Sequence, residues 1–467
     1  MATPYPDHPQ LRGNFAPLRM ECDIENVVVH GEIPKDLDIS YFRNGPDPQF
    51  APRGKHHWFG GDGMVHGFHI QNGKVSYRNR WSRTQKWSLE REAGKSLFSA
   101  FNPMDCDPSV AGLQTDGTAN TNIVWHGDKL LALEEGHAPF ELDSRTLDSK
   151  GAWDFAGEYS DRMTAHPKID PKTGEMLFFG YMVGEPLGNG MSYQVVDSGG
   201  KLTRSDHFNA PIASMVHDFI TTDEHVIFPI FPLTGSLDRA MSGKPAFAWE
   251  PNKGAHIGVM RRTDSIDKIR WYDIDPCYVF HALNAYTKGN TIVAHMMQFE
   301  EAPLFPHVDG SRADPKKANA RLCEWTIDLS KNGGIKRRYL DDITGEFPRL
   351  DERFVGLENR FGYYAASTVA DGGLGFDAIA HQDLKLDKRT LFQLPDGDKT
   401  GEPIFVPKSK TAEEGEGYLI SVIYRANQNR SDLVIFDAEN ISDGPIATAE
   451  LPHRVPHGFH GNWKYNS

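Results

Sequence analysis

Four histidines stand in short, strand-like runs far apart in the chain. They are His166 in Thr164-Ala165-His166-Pro167-Lys168, His217 in Met215-Val216-His217-Asp218-Phe219, His281 in Val279-Phe280-His281-Ala282-Leu283, and His460 in Gly458-Phe459-His460-Gly461-Asn462. The gaps of 51, 64 and 179 residues are far too long for a zinc finger or a helical His pair. If these side chains act together, each comes from a different structural element. Imidazole suits Zn, Cu, Fe and Ni, and a site of neutral imidazoles leaves a divalent ion its full charge. Metal-bound His normally donates its second ring N–H to a carboxylate, which fixes the tautomer and the ring orientation. Glu135, Glu346 and Glu402 stand in β-rich contexts where that would work.

The elements that would have to position these groups read as strands. Residues 122–125, 130–133, 176–181, 225–231, 291–295, 417–424 and 432–437 are short β-rich runs, bounded mostly by Gly, Asp or Asn turns. Strands of this length repeated throughout a chain indicate a sandwich, barrel or propeller. Length and strand density favour a propeller, although no clean repeat period is visible. Inner strand ends line a propeller's axis, so ligands from several blades can meet there. Residues 141–147 and 434–440 read as strands leaving a blade through an acidic turn. Helical pattern is scarce, and the two short helices predicted over one face are 236–241 and 314–320. The apolar run 227–233 reads as a buried strand rather than a surface patch. Nothing marks a linker, so residues 1–467 are taken as a single all-β domain.

Composition narrows the function. The 467 residues are 39% hydrophobic and 24% charged, an ordinary globular balance. A net charge of −14 with no Lys/Arg run argues against nucleic acid as a partner. Cys22, Cys106, Cys277 and Cys323 form no CxxC pair and are too sparse for a disulfide scaffold, which points to a reducing compartment. No secretory h-region and no run of about 18 apolar residues is seen, so the expected location is the cytoplasm. HExxH, GxSxG and GxxxxGK[ST] are absent, which removes the commonest zinc-protease, serine-hydrolase and nucleotidase readings. A non-enzymatic propeller would explain the strands but not four histidines with three placed carboxylates.

Several runs are recognisable together and in order: Tyr41-Phe42-Arg43-Asn44-Gly45-Pro46-Asp47-Pro48, Gly60-Gly61-Asp62-Gly63-Met64-Val65-His66, Thr164-Ala165-His166-Pro167-Lys168, Phe280-His281-Ala282-Leu283-Asn284, Glu402-Pro403-Ile404-Phe405-Val406-Pro407 and Gly458-Phe459-His460-Gly461-Asn462-Trp463. On these residues the chain resembles the carotenoid cleavage oxygenase family, including its bacterial lignostilbene and phenylpropenoid dioxygenase branch. The resemblance implies a seven-bladed β-propeller, capped by loops and short helices, with non-haem Fe(II) on the axis. Carried over by motif, the iron ligands are His166, His217, His281 and His460. Glu135, Glu346 and Glu402 would bond to His217, His281 and His460 respectively. Thr121 matches a Thr whose methyl shields an open iron position in part of the family, and Phe59 matches a stacking aromatic.

The implied reaction is O2-dependent cleavage of an electron-rich C=C bond to two carbonyl products, with no organic cofactor. With no anionic ligand, the iron is less able to reach high-valent states than in two-His-one-carboxylate oxygenases. In the lignostilbene branch a Tyr and a Lys hold the substrate's 4-hydroxyl and promote its ionisation. The matching positions here are Phe101 and Glu134. Phe has no hydroxyl to donate, and an ionised Glu repels a phenolate. That departure favours a longer apolar polyene such as an apocarotenoid, or an aryl olefin that needs no ionised phenol. The alternative is cleavage of a stilbene, isoeugenol or vinylguaiacol side chain to an aromatic aldehyde such as vanillin. A lipid-dissolved substrate would bring peripheral membrane contact, for which an acidic surface gives no help with anionic lipids. A monomer or dimer is expected.

Overall fold

The computed structural model describes residues 3–101, 103–330, 334–369 and 375–466. Seven antiparallel sheets of four to six strands form the blades of a β-propeller. Their inner strands are, in ring order, Asn122–His126, Lys168–Ile169, Ile220–Thr221, Tyr278–Lys288, Thr344–Arg349, the pair Lys399–Thr400 and Ile404–Pro407, and Gly461–Tyr465. The ring is latched twice. The C-terminal strand Gly461–Tyr465 pairs with Ile39–Pro46, and Val28–Gly31 pairs with Pro445–Glu450 of the preceding blade. Each blade is buried on both faces against its neighbours, so strands such as Met176–Tyr181 and Ile404–Pro407 are wholly buried. The run 225–231 is a buried strand and its continuation, as expected.

An acidic turn recurs between the third and fourth strands of five blades. Asp143, Asp197, Asp328, Asp383 and Asp437 each accept a hydrogen bond from a backbone N–H two residues on. The Asp side chain thereby takes the place of a backbone carbonyl and sets the turn. Two of these, Asp143 and Asp437, lie in the acidic-turn phrases read from the sequence.

Helix is scarce, but its placement differs from expectation at two points. Leu237–Met241 is a helix capped by Ser236. Residues 314–320 make only one turn. The Asp314 side chain accepts from Lys316 N and the Asn319 side chain donates to Pro315 O, and the strand Arg321–Asp328 begins directly afterwards. Such side-chain bonds compete with helix propagation. The longest helix, Gln85–Ala93, is capped by Thr84 and ended by Gly94 at a φ of +66°.

The Asn44-Gly45 run has a specific steric reason. Asn44 N donates to His460 O at 2.8 Å, and Phe459 N donates to Asn44 O at 3.0 Å. A Cβ on Gly45 would lie 2.6 Å from the Gly458 Cα. The two backbones touch, and that contact fixes the height of His460. Gly45→Ala is expected to cost about 2 kcal/mol, as overpacking does, read as a lower urea midpoint. An unchanged midpoint would show that the two segments can separate freely.

Candidate metal centre

Inner strands deliver the site residues. His166 and His217 stand two and three residues before the inner strands of the second and third blades, and His460 directly precedes that of the seventh. His281 lies within Tyr278–Lys288, where the register against the next strand slips on both sides of Ala282. That bulge turns the side chain toward the axis. Glu346 sits at another slip, followed by Phe347 at a φ of +56°. A non-glycine residue is uncommon there. The Phe347 ring stacks on His281 at 5.5 Å.

The four histidines converge. One imidazole nitrogen from each lies within 4.8 Å of all the others. His166 Nε2 is 3.0 Å from His217 Nε2, which is 3.1 Å from His281 Nε2. The His460 ring centroid lies 4.4 Å from that of His166 and 4.7 Å from that of His281. All four side chains are buried.

Each predicted carboxylate meets its predicted partner. Glu135 accepts from His217 Nδ1, Glu346 from His281 Nδ1, and Glu402 from His460 Nδ1 at 2.9 Å. These bonds place the protons on Nδ1 and leave the Nε2 lone pairs facing one another. Burial, together with the other three imidazoles, pushes His166 far below its ordinary value, and burial with His460 and His217 holds His281 down likewise. Burial alone would also lower His217, but Glu135 outweighs it and raises it. Burial pushes Glu346 up to about 8. Burial would likewise raise Glu402, but Arg349, His460 and the Gly461 N–H pull it down to about 2.

This arrangement fits a divalent cation. Converging lone pairs about 3 Å apart repel unless a cation lies between them, and imidazole–metal bonds of about 2.1 Å span a comparable distance. The charges agree. Glu346 and Glu402 are buried and Glu135 nearly so, and the one cation touching them, Arg349, is shared between Glu402 and Glu352, so the surroundings favour a positively charged occupant. The raised Glu346 and His217 are the protein's own partial substitute, since both shifts favour holding protons.

Two supports escaped the sequence reading. Arg349 donates to Glu402 Oε2 at 3.3 Å and to Gly461 O at 2.8 Å, and pairs with Glu352. Tyr181 donates to Glu135 Oε2 at 2.5 Å. Arg349 stands only three residues after Glu346, yet its partners lie 53 and 112 residues away, and local pattern carries no trace of them.

The remaining expected residues form an outer layer or lie aside. The Phe59 ring is 5.4 Å from Phe459 and 6.4 Å from Phe280, whose own ring lies 5.0 Å from His217. Phe101 lies farther out, 4.9 Å from His57 and 6.4 Å from Phe305, and is 37% exposed. The Thr121 carbonyl accepts from His460 N at 3.1 Å, while its hydroxyl is engaged with Asn120. Glu134 does not bond the site histidines but pairs with His137, which it raises against the effect of burial. Its charge is therefore partly matched within the protein.

A propeller carrying a buried four-imidazole cation site on its axis defines the class. The model of the RPE65, or retinal pigment epithelial membrane protein, family matches residues 15–465. The chain is 40% identical to isoeugenol monooxygenase of Pseudomonas nitroreducens, over 97% of this chain and 98% of that one. It is 32% identical to carotenoid 9,10(9',10')-cleavage dioxygenase 1 of Arabidopsis thaliana, over 96% and 88%. The crystal structure of Pseudomonas brassicacearum lignostilbene dioxygenase superposes with a TM-score of 0.94 at 33% identity, covering all of both chains. The chain belongs to the RPE65/carotenoid cleavage oxygenase family. In reaction class it is an oxygenase that cleaves alkenes with O2, as expected from the sequence.

Glu402→Gln removes a buried charge while keeping the shape. It is expected to weaken metal affinity by about 10–100-fold, the usual cost of losing such an outer partner, measured by competition with a chromophoric chelator. Wild-type affinity would show that Glu402 does not tune the site.

Proposed function

We propose that the chain is a non-haem Fe(II) oxygenase that cleaves the conjugated C=C bond of an aryl olefin, of phenylpropenoid or stilbene type, to two carbonyl products. One would be an aromatic aldehyde such as vanillin. The observation that carries this reading is an all-imidazole cation site directly beside a shell of aromatic rings. Zinc has no redox chemistry with which to activate O2, whereas imidazole also suits iron, which has. Bound there, ferrous ion supplies the electrons by which dioxygen becomes reactive toward an electron-rich double bond.

The chain's own residues do the positioning. Phe59 meets Phe280 and Phe459 edge-on, and together the three rings would pack against a flat conjugated substrate. Glu135, Glu346 and Glu402 hold three imidazoles at fixed orientation. Burial keeps water from competing. The isoeugenol monooxygenase relative supports the aryl-olefin substrate.

A second reading, an apocarotenoid, is favoured by Phe101, which offers no hydroxyl to a phenol. Met104, Leu113, Leu237 and Met241 are exposed apolar side chains outside the blade strands. They would suit a long apolar chain and peripheral membrane contact. No helix among the described residues is long and apolar enough to cross a membrane. A cytoplasmic monomer or dimer belongs to the same proposal.

Iron-loaded protein under oxygen-18 gas is expected to give labelled aldehyde from isoeugenol or a 4-hydroxystilbene. Chelation should lower the rate at least about a hundredfold, restored by Fe2+. Full-rate cleavage by the stripped protein would contradict the iron role, and cleavage of an apocarotenal alone would move the substrate to the second reading. Phe59→Ala is expected to raise KM for the aryl olefin about tenfold with metal content unchanged. An unaltered KM would remove Phe59 from the substrate pocket.

A further inference from the structure

A cavity of about 200 Å³ runs along the propeller axis beneath the histidines. Chain direction shows which side it occupies. Lys168, Asp218, Asn284 and Asn462, which line it, all follow the site histidines along the chain. Phe280 and Phe459, on the aromatic side, precede them. The cavity ends against His166, His281 and His460, so the metal centre separates an aromatic face from one where charged and amide side chains stand among aliphatic ones.

We propose that this axial cavity is the route by which the divalent metal reaches and leaves the four-histidine site. The proposal rests on the metal-site reading above. The histidines are buried, so a cation must pass through one of the two faces. Aromatic rings offer no oxygen donor to a strongly hydrated ion, and uncompensated loss of that hydration is prohibitive. The axial wall carries carboxylates and side-chain amides, oxygen groups of the kind that hard divalent cations accept, with those of Asp218, Asn284 and Glu402 also hydrogen-bonded within the protein.

Exposure is graded along this wall. Pro171 is exposed, and the Glu352 side chain is 39% exposed. Asp218 and Asn284 are each 6% exposed, and Glu402 is 2%. An ion moving inward would therefore exchange water for protein oxygen in stages. The charges also favour a cation. Asp218, Glu352 and Glu402 face only Lys168 and Arg349, and both cations are tied to these same carboxylates. A net negative, low-dielectric funnel concentrates cations and speeds their approach.

The test uses chelator-stripped full-length protein and Co2+ alone, followed by its visible absorption in stopped flow. Val355 lines the cavity and is neither a ligand nor part of the aromatic shell. Val355→Trp is expected to slow Co2+ uptake and chelator-driven loss by the same factor, about tenfold, because a close-packed plug must open for passage. Affinity would then stay unchanged. Glu352→Gln is expected to slow uptake severalfold at low salt, with the difference vanishing at high ionic strength. It carries the test should Val355→Trp fail to fold. Phe305→Trp, on the aromatic side, should leave both rates alone. Wild-type exchange rates in the cavity variants, or slowing confined to Phe305→Trp, would overturn the route. A His281→Ala protein that still gives the full Co2+ spectrum would instead overturn the metal site itself.

Discussion

Imidazole nitrogens about 3 Å apart, with lone pairs turned inward, cannot coexist without a positive charge between them. The rest of the molecule accepts that constraint and enforces it. Glu135 and Glu346 hold the ring protons outward on His217 and His281, and Glu402 does the same for His460. Without a cation between the rings, the carboxylates around them outnumber the one positive side chain, Arg349, that touches them. The opposed behaviour of two chemically identical carboxyls follows from this. Glu402, beside Arg349, is held ionised, while Glu346, with no cation of its own, is pushed up by burial. A divalent ion would relieve the repulsion and the charge imbalance together.

A propeller is well suited to the task because it brings distant segments to one axis without any of them being local in sequence. The second, third, fourth and seventh blades each present a histidine, and the fifth and sixth each present a glutamate. The first contributes Thr121 at its inner strand and Glu135 beyond its second. This convergence needs a rigid ring, which explains why closure and chemistry share residues. The strand that latches the ring begins one residue after His460, and its partner strand holds the Asn44-Gly45 contact that sets the height of that histidine.

Much of this was legible in the sequence. Runs bounded by turn residues located mainly the second strands of the blades, at 130–133, 176–181, 225–231, 291–295 and 417–424, with one inner strand at 122–125 and one third strand at 432–437, because a buried strand bounded by Asp or Gly leaves a strong local signature. The histidines and their carboxylates were legible as motif-embedded residues. The blade period was present but obscured. The turn aspartates are 54 residues apart from Asp143 to Asp197, 55 from Asp328 to Asp383, and 54 from Asp383 to Asp437. The third blade, lengthened by the hairpin of Leu233–Gly235 with Phe247–Trp249, lacks the same turn and breaks the series. Arg349 and Tyr181 were not legible, since their roles depend on which strand ends face across the axis. Residues 314–320 looked helical by composition, but an Asp side chain and the onset of a strand ended the turn.

X-ray absorption on the iron-loaded protein addresses the central claim most directly, because it counts the atoms bound to the ion. The fine structure is expected to show four imidazole nitrogens near 2.1 Å, with one imidazole fewer in His460→Ala. A coordination shell dominated by carboxylate oxygen or thiolate sulfur, or one unchanged when His460 is removed, would contradict it.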